Sequence, residues 1–149
     1  MKRFLQRHKY TFNALLLLLP IGFYNGWFSS YPKSWQAKQI GEFTVKALPL
    51  NLDPPYIHDG SYAKDFMILF RDGEVANIRQ AYLNIGPQSM PLNQLQQSDE
   101  GLLHGSPRAQ TAHAISPIKF SRNDKLWLTI ENWQMQQQVV SWDLPEGFI

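Results

Sequence analysis

From Tyr10 to Pro32 the chain holds no charged residue, and its centre reads ALLLLLPIGFY. As a helix with 1.5 Å rise per residue this stretch covers roughly 33 Å, enough to cross a bilayer. A run so uniformly apolar has no polar face to turn to water, which argues against a buried helix of a soluble domain. Pro20 interrupts it, but membrane helices tolerate proline where local adjustment satisfies the backbone. Tyr24, Trp27, Phe28, Tyr31 and Trp35 gather at the far end, where amphipathic rings favour the headgroup layer.

Beyond residue 33 the pattern changes. KSWQAKQIG (33–41) reads as a polar stalk, and after it short apolar runs are punctuated by proline and glycine, as in an all-β domain. EFTVKAL alternates Phe43, Val45 and Ala47 against Glu42, Thr44 and Lys46, the period of a half-buried strand. DFMILF (65–70) is a short continuous apolar run suited to a core strand. Asp72-Gly73 then predicts a tight hairpin, with EVANIRQAYLNI (74–85) as the returning partner. GPQSMPLNQLQQSDEG (86–101) reads as a meandering connection. AHAISPIKF (112–120) is a further strand, confined to an edge or bulge by Pro117. KLWLTIEN (125–132) puts Leu126, Leu128 and Ile130 on one face; QQVVSWDL (137–144) does so with Val140, Trp142 and Leu144. No helical periodicity follows residue 36, and no repeat of fixed period is visible.

The expected architecture is therefore all-β: an immunoglobulin-like β-sandwich of about six or seven short strands, preceded by one transmembrane helix. Its parts are a basic tail (1–9), a signal-anchor (10–32), a stalk (33–41) and the sandwich (42–149). Trp127, Trp133 and Trp142 are expected mainly to pack, with Trp133 placed in a turn where it could also face a partner.

Charge sets the orientation. Lys2, Arg3, Arg7 and Lys9 all precede the apolar run, which predicts a cytoplasmic N-terminus and a periplasmic C-terminal part at a bacterial inner membrane. Without those four, ten of the fourteen basic residues stand against twelve acids, so the rest is net negative and a nucleic-acid partner is not expected. A cleaved signal peptide shares this layout, but Trp27 or Phe28 falls at a position that cleavage wants small, so the anchor is expected to stay. The chain has no cysteine, which removes lipid attachment through cysteine, disulfides, thiolate zinc sites, iron–sulfur clusters and covalent haem.

The hairpin-like stretch DFMILFRDGEVANIRQAYLNI, followed by the loop GPQSMPLNQL and preceded by a short anchor, resembles membrane-anchored periplasmic domains of the FixH type, associated with cation transport and copper-oxidase maturation. The resemblance covers most of the chain as an architecture and carries no ligand motif. It implies a metal-transport or redox-maturation neighbourhood rather than an activity, and the leading expectation is an accessory or partner-binding module with a membrane protein as partner.

Candidate chemistry is limited to histidine. His104 and His113 lie nine residues apart in GLLHGSPRAQTAHAIS, and in an exported compartment neutral imidazoles suit copper or zinc. Two rings do not complete a site, so His58 in PPYIHDG and Met90 in QSMPL are the further candidate ligands, with Asp59 and Asp99 as oxygen donors. A periplasmic copper- or zinc-binding protein is thus one alternative, and a purely structural subunit of a membrane complex another. Catalysis is not expected: HGSP lacks the spacing and the third member of a nucleophile triad, and Asp99-Glu100 reads as a solvated acidic pair.

Overall fold

The computed structural model describes residues 31–148 together with Tyr10, Ala14 and Leu16. The basic tail and nearly all of the expected membrane span lie outside the described residues. Among the described residues no helix is long and apolar enough to cross a membrane. Contacts separate the unit Tyr31–Ile149 from Met1–Ser30.

The domain is built of strands: β1 (Lys38–Ile40), β2 (Phe43–Pro49), β3 (Tyr56–His58), β4 (Ser61–Asp72), β5 (Ile78–Gly86), β6 (His104–Ser106), β7 (Ala109–Ile115), β8 (Lys125–Asn132) and β9 (Gln137–Asp143). A single helical turn, α1 (Leu92–Leu95), interrupts the 86–101 connection. Hydrogen bonding gives the order β1-β2-β4-β7-β5-β8-β9, with β3 added to β4 and β6 to β7. The link between β7 and β5 is slight, one parallel pair at Asn84 and Ile115, whereas β2/β4/β7 and β5/β8/β9 are joined by long antiparallel ladders. Strands beyond the expected six or seven are the three-residue pieces, too short to leave a periodic signal in sequence.

Period-two alternation sends one face of each ladder into a common core. Phe43, Val45, Ala47, Phe66, Ile68, Phe70, Ala112 and Ala114 come from one ladder, and Ala81, Leu83, Ile85, Leu126, Leu128, Ile130 and Trp142 from the other. The expected faces of residues 42–48 and 125–132 are the observed ones. DFMILF differs: Phe66, Ile68 and Phe70 are buried while Met67 and Leu69 are half-buried on the opposite face.

Three expectations change. The Asp72-Gly73 turn is real, with Gly73 at φ +93°, but it does not close a hairpin. A 3-10 turn at Val75–Asn77 carries the chain away, and β7 occupies the edge of β4 that β5 was expected to take. The stalk is in part structural: Lys38–Ile40 pairs with β2, and Ile40 is in the core. Trp35, assigned to the headgroup belt, instead packs edge-on against Phe66 at 5.4 Å and Phe148 at 5.6 Å, while its backbone N–H donates to the Ala47 carbonyl. Trp35 is half-buried against the core, where a large ring removes much apolar area from water.

A second, smaller cluster covers the outer face of β5. Tyr82 packs with Leu92 and Leu95 of α1, and Met90, Leu102 and Ile115 lie against them. Asn84, almost fully buried, pins the start of this covering loop. Its Nδ2 donates to the Gln88 carbonyl at 3.2 Å and its Oδ1 accepts from the Met90 N–H at 3.1 Å. This loop brings the last site residue into place.

Candidate functional site

β3 folds back on the start of β4, pairing Tyr56 with Ala63 and His58 with Ser61. β7 pairs along the other edge of β4, with Asp65 directly opposite His113. Because Phe66 and Ala112 point into the core, their neighbours Asp65 and His113 point outward, to the face that carries Tyr56 and His58. Four polar side chains from three strands therefore meet on one outer surface.

The fifth comes from the covering loop. Gly101 donates its N–H to the His113 carbonyl at 2.9 Å, and its own carbonyl accepts from Leu83 at 2.8 Å. Its φ is +80°, and a Cβ there would lie 2.6 Å from the Leu83 oxygen, so only glycine fits between the two strands. The clamp sets Glu100 against His58, with His58 Nδ1 2.6 Å from Glu100 Oε1.

The result is two histidine–carboxylate pairs lying side by side. His113 Nδ1 is 2.7 Å from Asp65 Oδ1, and the Tyr56 hydroxyl donates to the same oxygen at 2.7 Å. The His58 and His113 rings stack, with centroids 4.1 Å apart and planes at 21°, while Tyr56 meets the His58 ring edge-on at 6.1 Å. Burial, then the hydrogen bond to Asp65, pushes the Tyr56 hydroxyl up to about 12, so it stays protonated as a donor at neutral pH. The hydrogen bond to Glu100 raises His58 above the ordinary imidazole value, against a smaller opposing effect of burial. Glu100 is 8 % exposed, and its second oxygen, Oε2, is buried without a hydrogen-bond partner.

The raised His58 value has a definite sign. A group held more basic in the folded state contributes stability that is fully present below its unfolded value, near 6.5, and is lost as pH rises through the folded value. The difference in melting temperature between the wild type and His58→Gln is therefore expected to be larger near pH 5.5 than near pH 8.5. A thermal melt series across that window checks it, and a difference that grows with pH contradicts it.

Of the four sequence candidates, the structure brings His58 and His113 together. His104 is exposed on β6, its Nδ1 3.3 Å from the Leu102 carbonyl, and it shares a small cleft of about 130 Å³ with Asp65, Thr111 and His113 without contacting the ring stack. Met90 lies against the small cluster around Tyr82. Sequence reasoning missed Tyr56 and Asp65, and treated Glu100 as solvated. Asp65 left one signal, a carboxylate at the head of an apolar strand. Glu100 left none, since its burial depends on where the loop lands.

His58, Asp59 and Glu100 each offer one ligand atom within 4.8 Å of the others. Such a donor set suits a borderline divalent cation, and the hydrogen bonds and ring stack already fix the His58 imidazole.

The chain belongs to the family described as uncharacterised conserved protein UCP029505, whose profile matches residues 4–145. Neither the curated proteins nor the solved structures contain a match to it.

Proposed function

We propose that the chain is a membrane-anchored accessory domain, held on the periplasmic side of a bacterial inner membrane, that binds a membrane-protein partner of a metal-transport or redox-maturation system. The observation that carries this reading is the uncharged stretch 10–32, preceded by four basic residues and followed by a β unit with its own core. Anchoring assists such a module, since confinement to one bilayer raises the local concentration of a membrane partner without any new contact.

The finer fold assignment is part of the same reading. With β2, β4 and β7 in one layer and β5, β8 and β9 in the other, the order corresponds to strands A-B-E and C-F-G of an immunoglobulin-like sandwich. In that arrangement outer faces and end loops are free for partners, as the FixH resemblance also implies.

A reporter enzyme that is active only outside the cytosol, fused after Ile149, is expected to be active, and a fluorescent reporter that matures only in the cytosol is expected to stay dark. The reverse pattern overturns the topology. Cross-links to the partner in native membranes are expected to survive replacement of residues 10–32 by an unrelated anchor. Their loss would assign partner binding to the helix rather than the sandwich.

A further inference from the structure

We infer that His58, Asp59 and Glu100 form a site for a divalent transition metal of zinc type, a property beyond the anchoring and partner binding proposed above. The histidine–carboxylate pair accounts for only part of the geometry. His58 Nδ1 and Glu100 Oε1 satisfy one another at 2.6 Å, yet Glu100 Oε2 is buried and unpartnered beside them. Leaving a carboxylate oxygen out of water without a donor carries the full desolvation cost of that group. Nothing in the hydrogen bonding returns that cost, whereas a cation held by the carboxylate does.

The two distances from His58 fit with little movement, and the Asp59 and Glu100 donors lie within 4.8 Å of one another. Asp59 Oδ2 lies 3.9 Å from His58 Nδ1, and in a tetrahedral zinc site with bonds of roughly 2.0–2.2 Å two ligand atoms stand about 3.4 Å apart. The His58–Glu100 separation therefore widens and the His58–Asp59 separation closes, each by under about 1 Å. Asp59 is free to make that adjustment, its side chain being 88 % exposed. On binding, the metal takes the place of the proton between His58 Nδ1 and Glu100: a doubly protonated imidazole releases one proton for each ion bound, whereas a neutral one keeps its single proton on Nε2.

The surroundings support the ligands. His113 stacks on the His58 ring, Tyr56 meets its edge, and Gly101 clamps the loop that carries Glu100. Three protein ligands leave one coordination position open, for water or for a donor from a partner. One nitrogen and two carboxylates with no thioether in the set favour zinc over monovalent copper. Met90, which as a ligand would have pointed to copper, is engaged elsewhere.

The test is zinc titration of the full-length chain in detergent against a chromophoric chelator, with the melting temperature followed in parallel. One equivalent is expected to bind and to raise the melting temperature, and the affinity is expected to climb from about pH 5.5 to about pH 7.5 as zinc displaces the proton. His58→Gln and Glu100→Gln should each weaken binding at least about tenfold. Asp59→Asn gives a readout free of folding effects, because asparagine accepts the positive φ of 43° at this exposed position, and it should weaken binding several-fold. His104→Ala should bind as the wild type does. The inference is overturned if the wild type takes up no zinc at about 100 µM, if Asp59→Asn and Glu100→Gln bind as tightly as the wild type, or if His104→Ala is the variant that loses the metal. None of these outcomes bears on membrane topology or partner cross-linking, so this site and the proposed function fail independently.

Discussion

Replacing Phe66 with alanine is expected to cost about 3–5 kcal/mol, the largest loss from a single side chain in this domain. Phe66 is fully buried at the centre of β4, between the edge of Trp35 at 5.4 Å and the face of Phe148 at 6.2 Å. Both neighbours lie outside the ladders, one before β1 and the other in the last turn, so the ring ties the segments flanking the strands to the core. Truncation removes its transfer free energy and leaves a cavity that flanking strands, fixed by ladder hydrogen bonds, cannot collapse into. For a domain of this size the melting temperature should fall by about 12–20 °C. Phe66→Leu, which refills most of the space, should recover more than half of the loss. A thermal melt of the two variants decides the matter, and a fall of only a few degrees for alanine would show that the site relaxes.

The second large effect is electrostatic. Glu131 is 4 % exposed on β8, although its strand position puts it on the outer face. A bulge in β5 makes this tolerable: the register passes from Ile78–Asn132 to Gln80–Glu131, so Arg79 is the extra residue and both it and Gln80 reach the same carboxylate. Arg79 forms an ion pair with Glu131 Oε2, and Gln80 Nε2 donates to that oxygen at 2.6 Å. Removing one partner of a fully buried pair costs about 3–5 kcal/mol, because the other charge is stranded. The Arg79 side chain is about one-third exposed and Gln80 remains, so Arg79→Ala is expected to cost about 2–3 kcal/mol. Combining Arg79→Ala with Glu131→Met should regain most of it, since the uncompensated charge is gone. Urea unfolding of the single and double variants reads both numbers. A double variant less stable than the single one would mean that the glutamate contributes through something other than its charge.

β2, β8 and β9 were legible because their burial is one-sided, and alternation then writes the face into the sequence. Phe43, Val45 and Ala47, like Leu126, Leu128 and Ile130, lie where their spacing puts them. Pairing was less legible. Asp72-Gly73 specifies a turn and says nothing about which strand follows into the neighbouring position, and here β7 takes it. Trp35 and Ile40 were misplaced because an aromatic or aliphatic residue next to an apolar span reads the same whether it faces lipid or core. Two site residues, His58 and His113, were visible as histidines in polar stretches of a β-rich domain. Their stacking was not, since it joins residues brought together only by the β3–β4 and β4–β7 ladders. The carboxylates were harder still, because only the clamp at Gly101 turns Glu100 from a polar loop residue into a buried acid.

The two outermost strands of the order come close to one another. Lys38 of β1 donates to the Ser141 carbonyl, and the Trp142 indole donates to the Gln36 carbonyl at 2.8 Å. Residues 36–38 are thus latched by residues 103 and 106 positions later in the chain. A nascent chain cannot seal this seam until residue 142 has emerged. Any product shortened before β9 would keep an unpaired β8 edge and lose the latch, making it a ready substrate for quality-control proteases.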